Sequence, residues 1–428
     1  MILQRFSSRA IHYLLISLRI WLAKHRYTKH KYDITDLGFL GILLLDLCIL
    51  LYMISEISIS YKETVRLYDS SLWIFTWVRF CLEVFGTNDY ALRGLFVVLH
   101  CCNMFFMYAI GRIYLKKPND SLLLVLIYAL LPGINISALM IYESEFILCV
   151  LLFICYIQLR FKTMPYIVIF AIGWFDLVFC VLFVALGIYA LIHRKTTIFV
   201  AALIGFGINM FLYSSSIGGI PQAYFFDVLG GFAMLFSPLL FLYYVYTLYA
   251  AIARRKEDSL MVLISVSGVV LSLLLSLRQE INLVKFAPLC VVGLPVLVYG
   301  FFNDMRVRLK AYRVRFKVRM FLVFSVLCLE TFCLYGNKLS YFFSSNPNFA
   351  YPYYIAKDVA NELKKRGIDS IKVQDASLDL RLKFYGISVG SANCLYSDTN
   401  HKGELIQIKY LGRVVAQYTL VRDNACRI

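Results

Sequence analysis

Charged residues are scarce in this chain, and so are the motifs with which soluble enzymes hold nucleotides or metals. Only 16% of the residues are charged, against roughly 25% in an ordinary soluble domain. None of the six histidines are paired at a spacing of four, and the twelve cysteines form no CxxC pair. The chain also has no Gly-rich phosphate loop. These absences argue against a soluble nucleotide-binding enzyme and against a dedicated histidine or zinc site.

Apolar residues are abundant instead. They make up 61% of the chain, and the mean hydropathy is +0.72, which predicts an integral membrane protein. The net charge is +17, but the basic residues recur in short clusters between apolar runs. That pattern is typical of membrane loops rather than of a nucleic-acid-binding surface, so membrane lipids and no nucleic acid are the expected partners.

The apolar runs predict a mainly α fold, a polytopic transmembrane helical bundle. A helix needs roughly 17 to 25 apolar residues to cross a bilayer. The candidate spans are 37–55, 91–110, 121–140, 198–213, 230–252, 260–277, 286–302 and 320–335, with a shorter one at 140–157.

The run 165–192 is long for one span and short for two. Two crossings place the basic clusters "HRK", "ARRK" and "MRVRLKAYRVRFKVR" on the side of the N-terminus, as the positive-inside rule requires. We therefore predict a reversal at "GWFD", between Gly173 and Asp176. The result is about eleven spans, with the N-terminus in the cytoplasm and the C-terminus outside it.

The composition predicts three parts. Residues 1–36 form a cytoplasmic amphipathic segment, with a helix lying on the membrane surface. Residues 37–336 form the bundle, whose first outer loop, 56–90, is too long for a simple turn. Residues 337–428 form a small extracytoplasmic α/β domain, with helices near 355–366 and 378–385, a strand at "IKV" and a hairpin around Leu411 and Gly412.

Ionisable groups gather in three segments on the predicted outer face, where positional bias does not favour cations. Such a set suits an anionic lipid substrate, because cations hold phosphate oxygens while a carboxylate acts as a general base. The alternative is that they form interfacial ion pairs. The groups are Glu56, Asp69 and Arg93 of the segment 55–93, Glu143 and Glu145 at the start of the 140–157 span, and Arg278, Glu280 and Lys285 before the 286–302 span.

Four stretches of the bundle carry a resemblance to a known family: "SLWIFTWVRFCLEVFGTNDYALRGLFVVLHCCNMFFMYAIGRIYL", "LMIYESEFIL", "IFAIGWFDLVF" and "RQEINLVKFAPLCVVGLPVL". A fifth, "AKDVANELKKRGIDSIKVQDASLDLRLKFYGI", resembles the extracytoplasmic domain of that family. The first four show a first-loop helix followed by "FG" and Arg93, a carboxylate before an apolar helix, a Gly-led break, and a basic outer loop before a span. In these features the chain resembles the membrane-embedded GT-C glycosyltransferases of the protein mannosyltransferase and aminoarabinose-transferase type, which use polyprenyl-phosphate sugars.

The resemblance implies an inverting sugar transfer from a polyprenyl-phosphate donor to a lipid, glycan or protein acceptor, outside the cytoplasm at the bacterial inner membrane. The first loop of that family opens with an Asp followed by a Glu, whereas this chain has Ser55 and Glu56. Glu56 becomes the candidate general base, with Glu145 as metal ligand or acceptor-orienting group. A divalent metal ion is left open. The remaining expected roles are Asp69 as a catalytic acid, Arg93, Arg278 and Lys285 on the donor phosphate, and Glu143 and Glu280 as accessory groups.

Two alternatives stay open. A transporter or flippase of lipid-linked saccharides would use outward cations equally well, and it predicts inverted repeats and ionisable groups near the membrane midplane. An inactive scaffold of the same fold is favoured by Ser55 in place of the acid.

Overall fold

A computed structural model describes residues 34–70, 72–213, 224–343, 348, 350–397 and 403–422. The surface helix predicted within residues 1–36 lies almost entirely outside these ranges. The helices of the bundle are α1 (Ile34–Glu56), α2 (Tyr61–Asp69), α3 (Trp73–Phe85), α4 (Asp89–Tyr114), α5 (Pro118–Leu130), α6 (Pro132–Leu139), α7 (Ser144–Phe161), α8 (Tyr166–Ile172), α9 (Phe179–Ile192), α10 (Thr196–Tyr213), α11 (Phe225–Phe236), α12 (Pro238–Ala253), α13 (Leu260–Leu275), α14 (Leu283–Val291), α15 (Leu294–Val307) and α16 (Lys310–Tyr335).

The described helices confirm a transmembrane bundle. Five of them, α1, α4, α7, α10 and α16, are long and apolar enough to cross a membrane alone. The pairs α5 with α6, α11 with α12 and α14 with α15 are spans bent by 61°, 102° and 43°. A proline lies in the first turn of the second helix of each pair, where it cannot continue the preceding helix. With the shorter apolar helices α9 and α13, the count agrees roughly with the eleven spans predicted.

The span predicted before "GWFD" corresponds to the short helix α8. Its seven residues rise only about 10 Å, which is too short to cross a bilayer alone. Near its start, the Tyr166 hydroxyl lies 3.3 Å from Thr197 Oγ1 at the beginning of α10. After its end, Asn209 near the end of α10 donates hydrogen bonds of 3.0 and 2.9 Å to the carbonyls of Gly173 and Asp176. The chain therefore reverses direction where "GWFD" was predicted to turn.

Several predicted basic loops meet at one end of the bundle. Arg306 pairs with Asp120 at 2.5 Å, and His193 Nε2 lies 3.4 Å from Asp258. The Tyr114 hydroxyl at the end of α4 donates to Glu257 after α12. Together these contacts connect the turns after α4, α9, α12 and α15, and we call this the basic end. The opposite end holds the reversal after α8, and we call it the site end. Which side of the membrane each end faces stays a prediction.

The C-terminal region contains α17 (Ile355–Lys365), β1 (Ser370–Val373), α18 (Ala376–Phe384), β2 (Ser388–Tyr396), β3 (Glu404–Tyr410) and β4 (Arg413–Arg422). The four strands form one sheet in the order β1-β2-β4-β3, in which only β1 and β2 are parallel. Leu411 and Gly412 both have positive φ, at 50° and 80°, which is the geometry of a type I′ hairpin turn. The predicted helices, first strand and hairpin are present, whereas β2 was not predicted.

The first loop and the C-terminal region pack against each other and against the bundle. Leu50 and Met53 of α1 share an apolar cluster with Tyr354 at the start of α17. Phe384 of α18 joins the cluster formed by α2, α3 and α4. This packing brings the end of α1, the first loop and the C-terminal region together at the site end. The domain boundaries predicted at residues 36 and 336 remain a proposal.

Candidate functional site

The first loop begins with an extended segment, 57–60, that leads into α2. Ser60 caps α2, because its hydroxyl accepts the backbone N–H of Glu63 at 3.3 Å while Glu63 Oε2 accepts the backbone N–H of Ser60 at 2.9 Å. This reciprocal pair is a capping box. The other oxygen of Glu63 accepts the backbone N–H of Ile141 at 3.1 Å. One carboxylate therefore fixes both the start of α2 and the loop before α7.

Arg93 of α4 holds the extended segment from the bundle side. Its side chain is fully buried, and its two terminal nitrogens donate 3.0 Å hydrogen bonds to the carbonyls of Ile57 and Ser58. Glu63 and Asp89 lie 3.8 Å from the same guanidinium group. Both terminal nitrogens of Arg93 are thus engaged by the protein itself, and the residue positions the first loop.

The C-terminal region holds the same segment from the other side. Arg381 Nε donates to the carbonyl of Ile59 at 2.9 Å, and its Nη2 donates to Ser58 Oγ at 3.1 Å. Burial lowers the pKa of this guanidinium. Lys357 pairs with Asp89 at 2.7 Å and donates to the carbonyl of Ser55 at 2.6 Å. The backbone on both sides of Glu56 is therefore fixed.

Glu56 forms an ion pair with Lys338, which follows the last span. The carboxylate and the ammonium group are 2.5 Å apart, and both side chains remain about one-third exposed. The ammonium group also lies 4.6 Å from the ring centroid of Tyr354 and 4.9 Å from that of Tyr410, within range of cation–π attraction. The two rings and the carboxylate hold Lys338 in place while leaving part of it accessible.

This ion pair lies in a groove of about 520 Å³ between α1, the end of α16 and the C-terminal region. Apart from Glu56 and Lys338, its walls are apolar or aromatic: Cys48, Ile49, Tyr52, Met53, Phe332, Tyr335, Gly336, Leu339 and Tyr354. A cavity of about 300 Å³ adjoins it and shares Met53, Tyr335 and Tyr354 with it. Burial, with the charge of Glu56 nearby, raises the pKa of Tyr354 to about 12, so its hydroxyl keeps its proton to a higher pH than an ordinary tyrosine does.

A second ionic cluster lies near the reversal after α8. Lys285 at the start of α14 is 2.5 Å from Asp176 and 3.9 Å from Glu143. Its side chain is one-quarter exposed, whereas Glu143 is buried. The rings of Trp73, Phe146 and Phe175, from α3, α7 and the reversal after α8, contact one another. The structure therefore brings together Glu143 and Lys285, which lie 142 positions apart in the chain.

A third ionic group is buried inside the bundle. His100 Nε2 lies 2.8 Å from Asp46 Oδ2, and its Nδ1 lies 3.9 Å from Glu145 Oε1. Asn103 donates to Glu145 Oε2 at 2.7 Å, and the Ser137 hydroxyl donates to Glu145 Oε1. Glu145 has no exposed surface, so no substrate reaches its carboxylate in this conformation.

The predicted site residues are therefore divided among different places. Glu56 lines the groove, but Glu145, Arg93 and Arg278 do not. Asp69, Arg278 and Glu280 are exposed, and their predicted roles stay predictions. Lys338 was not among the predicted site residues, although it is the first cation after the last span and lies on the predicted outer face. Among the described residues, no group of three or more His, Cys, Asp or Glu side chains is arranged to hold a metal ion.

Comparison with solved structures identifies the class of fold. The chain is similar to ArnT from Cupriavidus metallidurans in the apo state, with a TM-score of 0.52 and 10% identity over 91% of this chain and 98% of that one. The structure of the same protein bound to undecaprenyl phosphate matches over the same shares, with a TM-score of 0.50 and 10% identity. These likenesses show an ArnT-like membrane fold. No protein-family profile and no curated protein matches the chain.

Proposed function

We propose that this chain is a GT-C glycosyltransferase of the bacterial inner membrane, which moves a sugar from a polyprenyl-phosphate donor to an envelope lipid, glycan or protein. The observation that carries the proposal is the Glu56–Lys338 ion pair in the groove. A base and a cation for the leaving phosphate lie in one accessible place on an ArnT-like fold. One of the similar structures is bound to undecaprenyl phosphate.

The walls of the groove suit such a donor. Ile49, Met53 and Phe332 provide apolar surface from spans α1 and α16, against which a prenyl chain packs. Lys338 provides a cation at the polar end, where the phosphate belongs. The exposed part of Lys338 lets the donor phosphate draw the ammonium group away from Glu56. Donor binding then frees the carboxylate to act as a base.

The proposed step is a single displacement at the anomeric carbon. Glu56 takes the proton from the acceptor hydroxyl or amine, whose oxygen or nitrogen forms the new bond to that carbon. The bond from the anomeric carbon to the phosphate oxygen breaks, and the polyprenyl phosphate leaves with the electron pair. Lys338 stabilises the charge that develops on the phosphate. The configuration at the anomeric carbon is inverted.

The other predicted residues take supporting places in this proposal. Arg93 and Arg381 position the backbone beside Glu56, because their guanidinium groups bind the 57–60 segment. Glu143 and Lys285 belong to the cluster near α14, in which Lys285 is one-quarter exposed and Glu143 is buried, and we assign this cluster to the acceptor side. A divalent metal ion is not used in any step.

Transport of a lipid-linked saccharide is the second candidate, and the buried group around His100 favours it. Asp46 is ten residues before Glu56 and thus about 15 Å deeper along the helix, close to the midplane of a hydrocarbon core of about 30 Å. Ionisable groups at that depth are typical of transporters. A transfer assay separates the two candidates, because transport leaves the sugar on its donor.

The test gives purified protein a panel of radiolabelled polyprenyl-phosphate sugars together with lipid and glycan acceptors. We expect label to move to an acceptor, and Glu56→Gln to lower turnover by roughly 100-fold or more. Glu83→Gln, at an exposed position of α3, is the matched control and should keep wild-type turnover. Movement of intact donor across vesicles without transfer would support the transporter. Full turnover in Glu56→Gln would remove Glu56 as the base.

A further inference from the structure

A second apolar cavity lies between α5, α12, α15 and α16, away from the site end. Its volume is about 230 Å³. Its walls are apolar or aromatic, and Lys317 is the only charged residue among them: Leu123, Ile127, Leu240, Tyr243, Leu297, Phe301, Lys317, Met320, Phe321, Val323, Phe324 and Leu327. None of these residues lines the groove that holds Glu56. The cavity thus needs an explanation separate from the sugar transfer.

The length of the cavity matches one leaflet of a bilayer. Along α16 its lining runs from Lys317 to Leu327, ten residues that rise about 15 Å. Half of the hydrocarbon core of a bilayer is also about 15 Å. An acyl chain of one leaflet fills such a cavity, whereas a polyprenyl chain is much longer.

Cations surround the end of the cavity at which Lys317 lies. Lys310 is two helical turns before Lys317 and therefore on the same face of α16. Arg308 stacks on Phe316 at 4.5 Å, and Phe316 stacks on the cavity residue Phe301. Lys310 and Lys317 are both exposed. The cations lie at the level of the basic end, where lipid headgroups meet the bundle.

Polar hydrogens are also left without partners near this end. The Tyr243 hydroxyl in the cavity wall, Arg308 Nε and Arg255 Nη2 are buried atoms that make no hydrogen bond within the described ranges. The two guanidinium groups also lie beside carboxylates, with Arg308 3.8 Å from Asp304 and Arg255 3.4 Å from Glu257. Buried donors of this kind are costly unless something accepts from them. A phosphate group provides several acceptor oxygens and negative charge in one place.

We propose that this cavity binds an anionic phospholipid, with one acyl chain between α5, α12, α15 and α16 and the phosphate against Lys317. The apolar walls favour an acyl chain, and the length of the cavity matches an acyl chain of one leaflet. The cations near Lys317 favour a negatively charged headgroup. Basic pockets between transmembrane helices bind anionic lipids by this combination. The proposal does not depend on the glycosyltransferase function.

The test uses the full chain, delipidated in a non-ionic detergent and analysed by native mass spectrometry. Phosphatidylglycerol and phosphatidylcholine with identical acyl chains are titrated, with glycerol phosphate and undecaprenyl phosphate as further arms. We expect phosphatidylglycerol to bind roughly 10-fold more tightly than phosphatidylcholine, and Lys317→Glu to remove that preference. Lys317→Arg should retain it. Arg315→Glu, on another face of α16, is the matched control and should also retain it.

A second variant tests the acyl chain. Leu123→Trp fills part of the cavity and should weaken both phospholipids without changing the headgroup preference, with folding checked by the unfolding temperature. Equal binding of the two phospholipids would overturn the proposal, as would equal effects of Lys317→Glu and Arg315→Glu. Binding of glycerol phosphate alone as tightly as the lipid would show an anion site without a lipid. Tighter, Lys317-dependent binding of undecaprenyl phosphate would assign the cavity to a prenyl chain instead.

Discussion

Glu56 and Lys338 are 282 positions apart in the chain, yet their charged groups lie 2.5 Å from each other. The pair joins the end of the first span to the first cation after the last span. In the proposed mechanism, Glu56 is the base and Lys338 binds the donor phosphate. Because Tyr354 and Tyr410 flank the ammonium group, its position does not depend on the carboxylate alone.

The first prediction concerns Lys338. Lys338→Gln should raise the KM for a polyprenyl-phosphate sugar by roughly 10-fold to 100-fold, because a hydrogen bond to a charged group contributes about 1.5 to 3 kcal/mol. Lys338→Arg keeps the cation and should recover much of the affinity. The measurement is initial rate against donor concentration with purified protein.

The control for that prediction is Lys365→Gln. Lys365 pairs with Glu362 on the exposed surface of α17, where 71% of its side chain is accessible. We expect its KM to equal that of the wild type. An unchanged KM in Lys338→Gln would place the donor phosphate elsewhere, with Lys285 as the next residue to substitute.

The second prediction separates a positioning role of Arg93 from phosphate binding. Arg93→Met leaves Glu63 without its buried cation and two backbone carbonyls without donors, whereas Asp89 keeps its pairing with Lys357. Removing one partner of such a buried pair costs about 3 to 5 kcal/mol, so the unfolding temperature in detergent should fall strongly. Arg79→Met is the control, because Arg79 also binds backbone carbonyls but is only partly buried, and it should cause a smaller fall.

Donor kinetics complete that test. A fully folded Arg93→Met variant with a raised donor KM would contradict the positioning role and restore the one predicted from the family resemblance. Arg93→Lys keeps the positive charge, but its single ammonium group cannot reproduce the two-nitrogen contact with Ile57 and Ser58. It therefore separates the effect of the charge from the effect of that contact.

The elements that local patterns determine were predictable from the sequence. The reversal near Gly173 followed from the distribution of basic loops, and Asn209 holds it in the structure. The hairpin followed from turn residues between β-branched runs. Strand β2, "SVGSANCLY", was missed because its small and polar residues show no alternation. Its place in the sheet comes from pairing with β1 and β4.

The candidate site was less predictable, because long-range contacts decide which charged side chains are buried in contacts within the protein and which remain accessible. Arg93 and Glu56 belong to the same loop region, and nothing local distinguishes them. The fold buries Arg93 against the 57–60 segment and leaves Glu56 accessible beside Lys338. Pairing across 282 positions has no signal in a single sequence.

The third prediction uses the raised pKa of Tyr354. Burial places this pKa at about 12 in the folded chain, against 10.0 for an ordinary tyrosine. Between these pH values the unfolded chain releases the proton while the folded chain retains it. The contribution of Tyr354 to the free energy of unfolding is therefore fully present below pH 10 and is lost as the pH rises towards 12. Tyr354→Phe removes this hydroxyl and should flatten the fall in unfolding temperature over that window.

Tyr61→Phe, at an exposed tyrosine of the first loop, is the control for the alkaline experiment and should keep the wild-type slope. Phenylalanine keeps the ring beside the Lys338 ammonium group, so the cation–π contact is retained in Tyr354→Phe. Identical alkaline slopes in the wild type and Tyr354→Phe would show that this hydroxyl titrates at its ordinary pH.

The last prediction concerns the buried contact between His100 and Asp46. Asp46→Asn and His100→Gln should each lower stability, because each leaves a buried group without its partner. The double variant should lose less than the sum of the two, with a coupling of about 1 to 3 kcal/mol, measured from unfolding in detergent. Strict additivity would mean that the 2.8 Å contact contributes nothing.

A transporter that uses the charge on Asp46 should lose transport in the folded double variant. A glycosyltransferase whose base is Glu56, about 15 Å away along α1, should keep its sugar transfer.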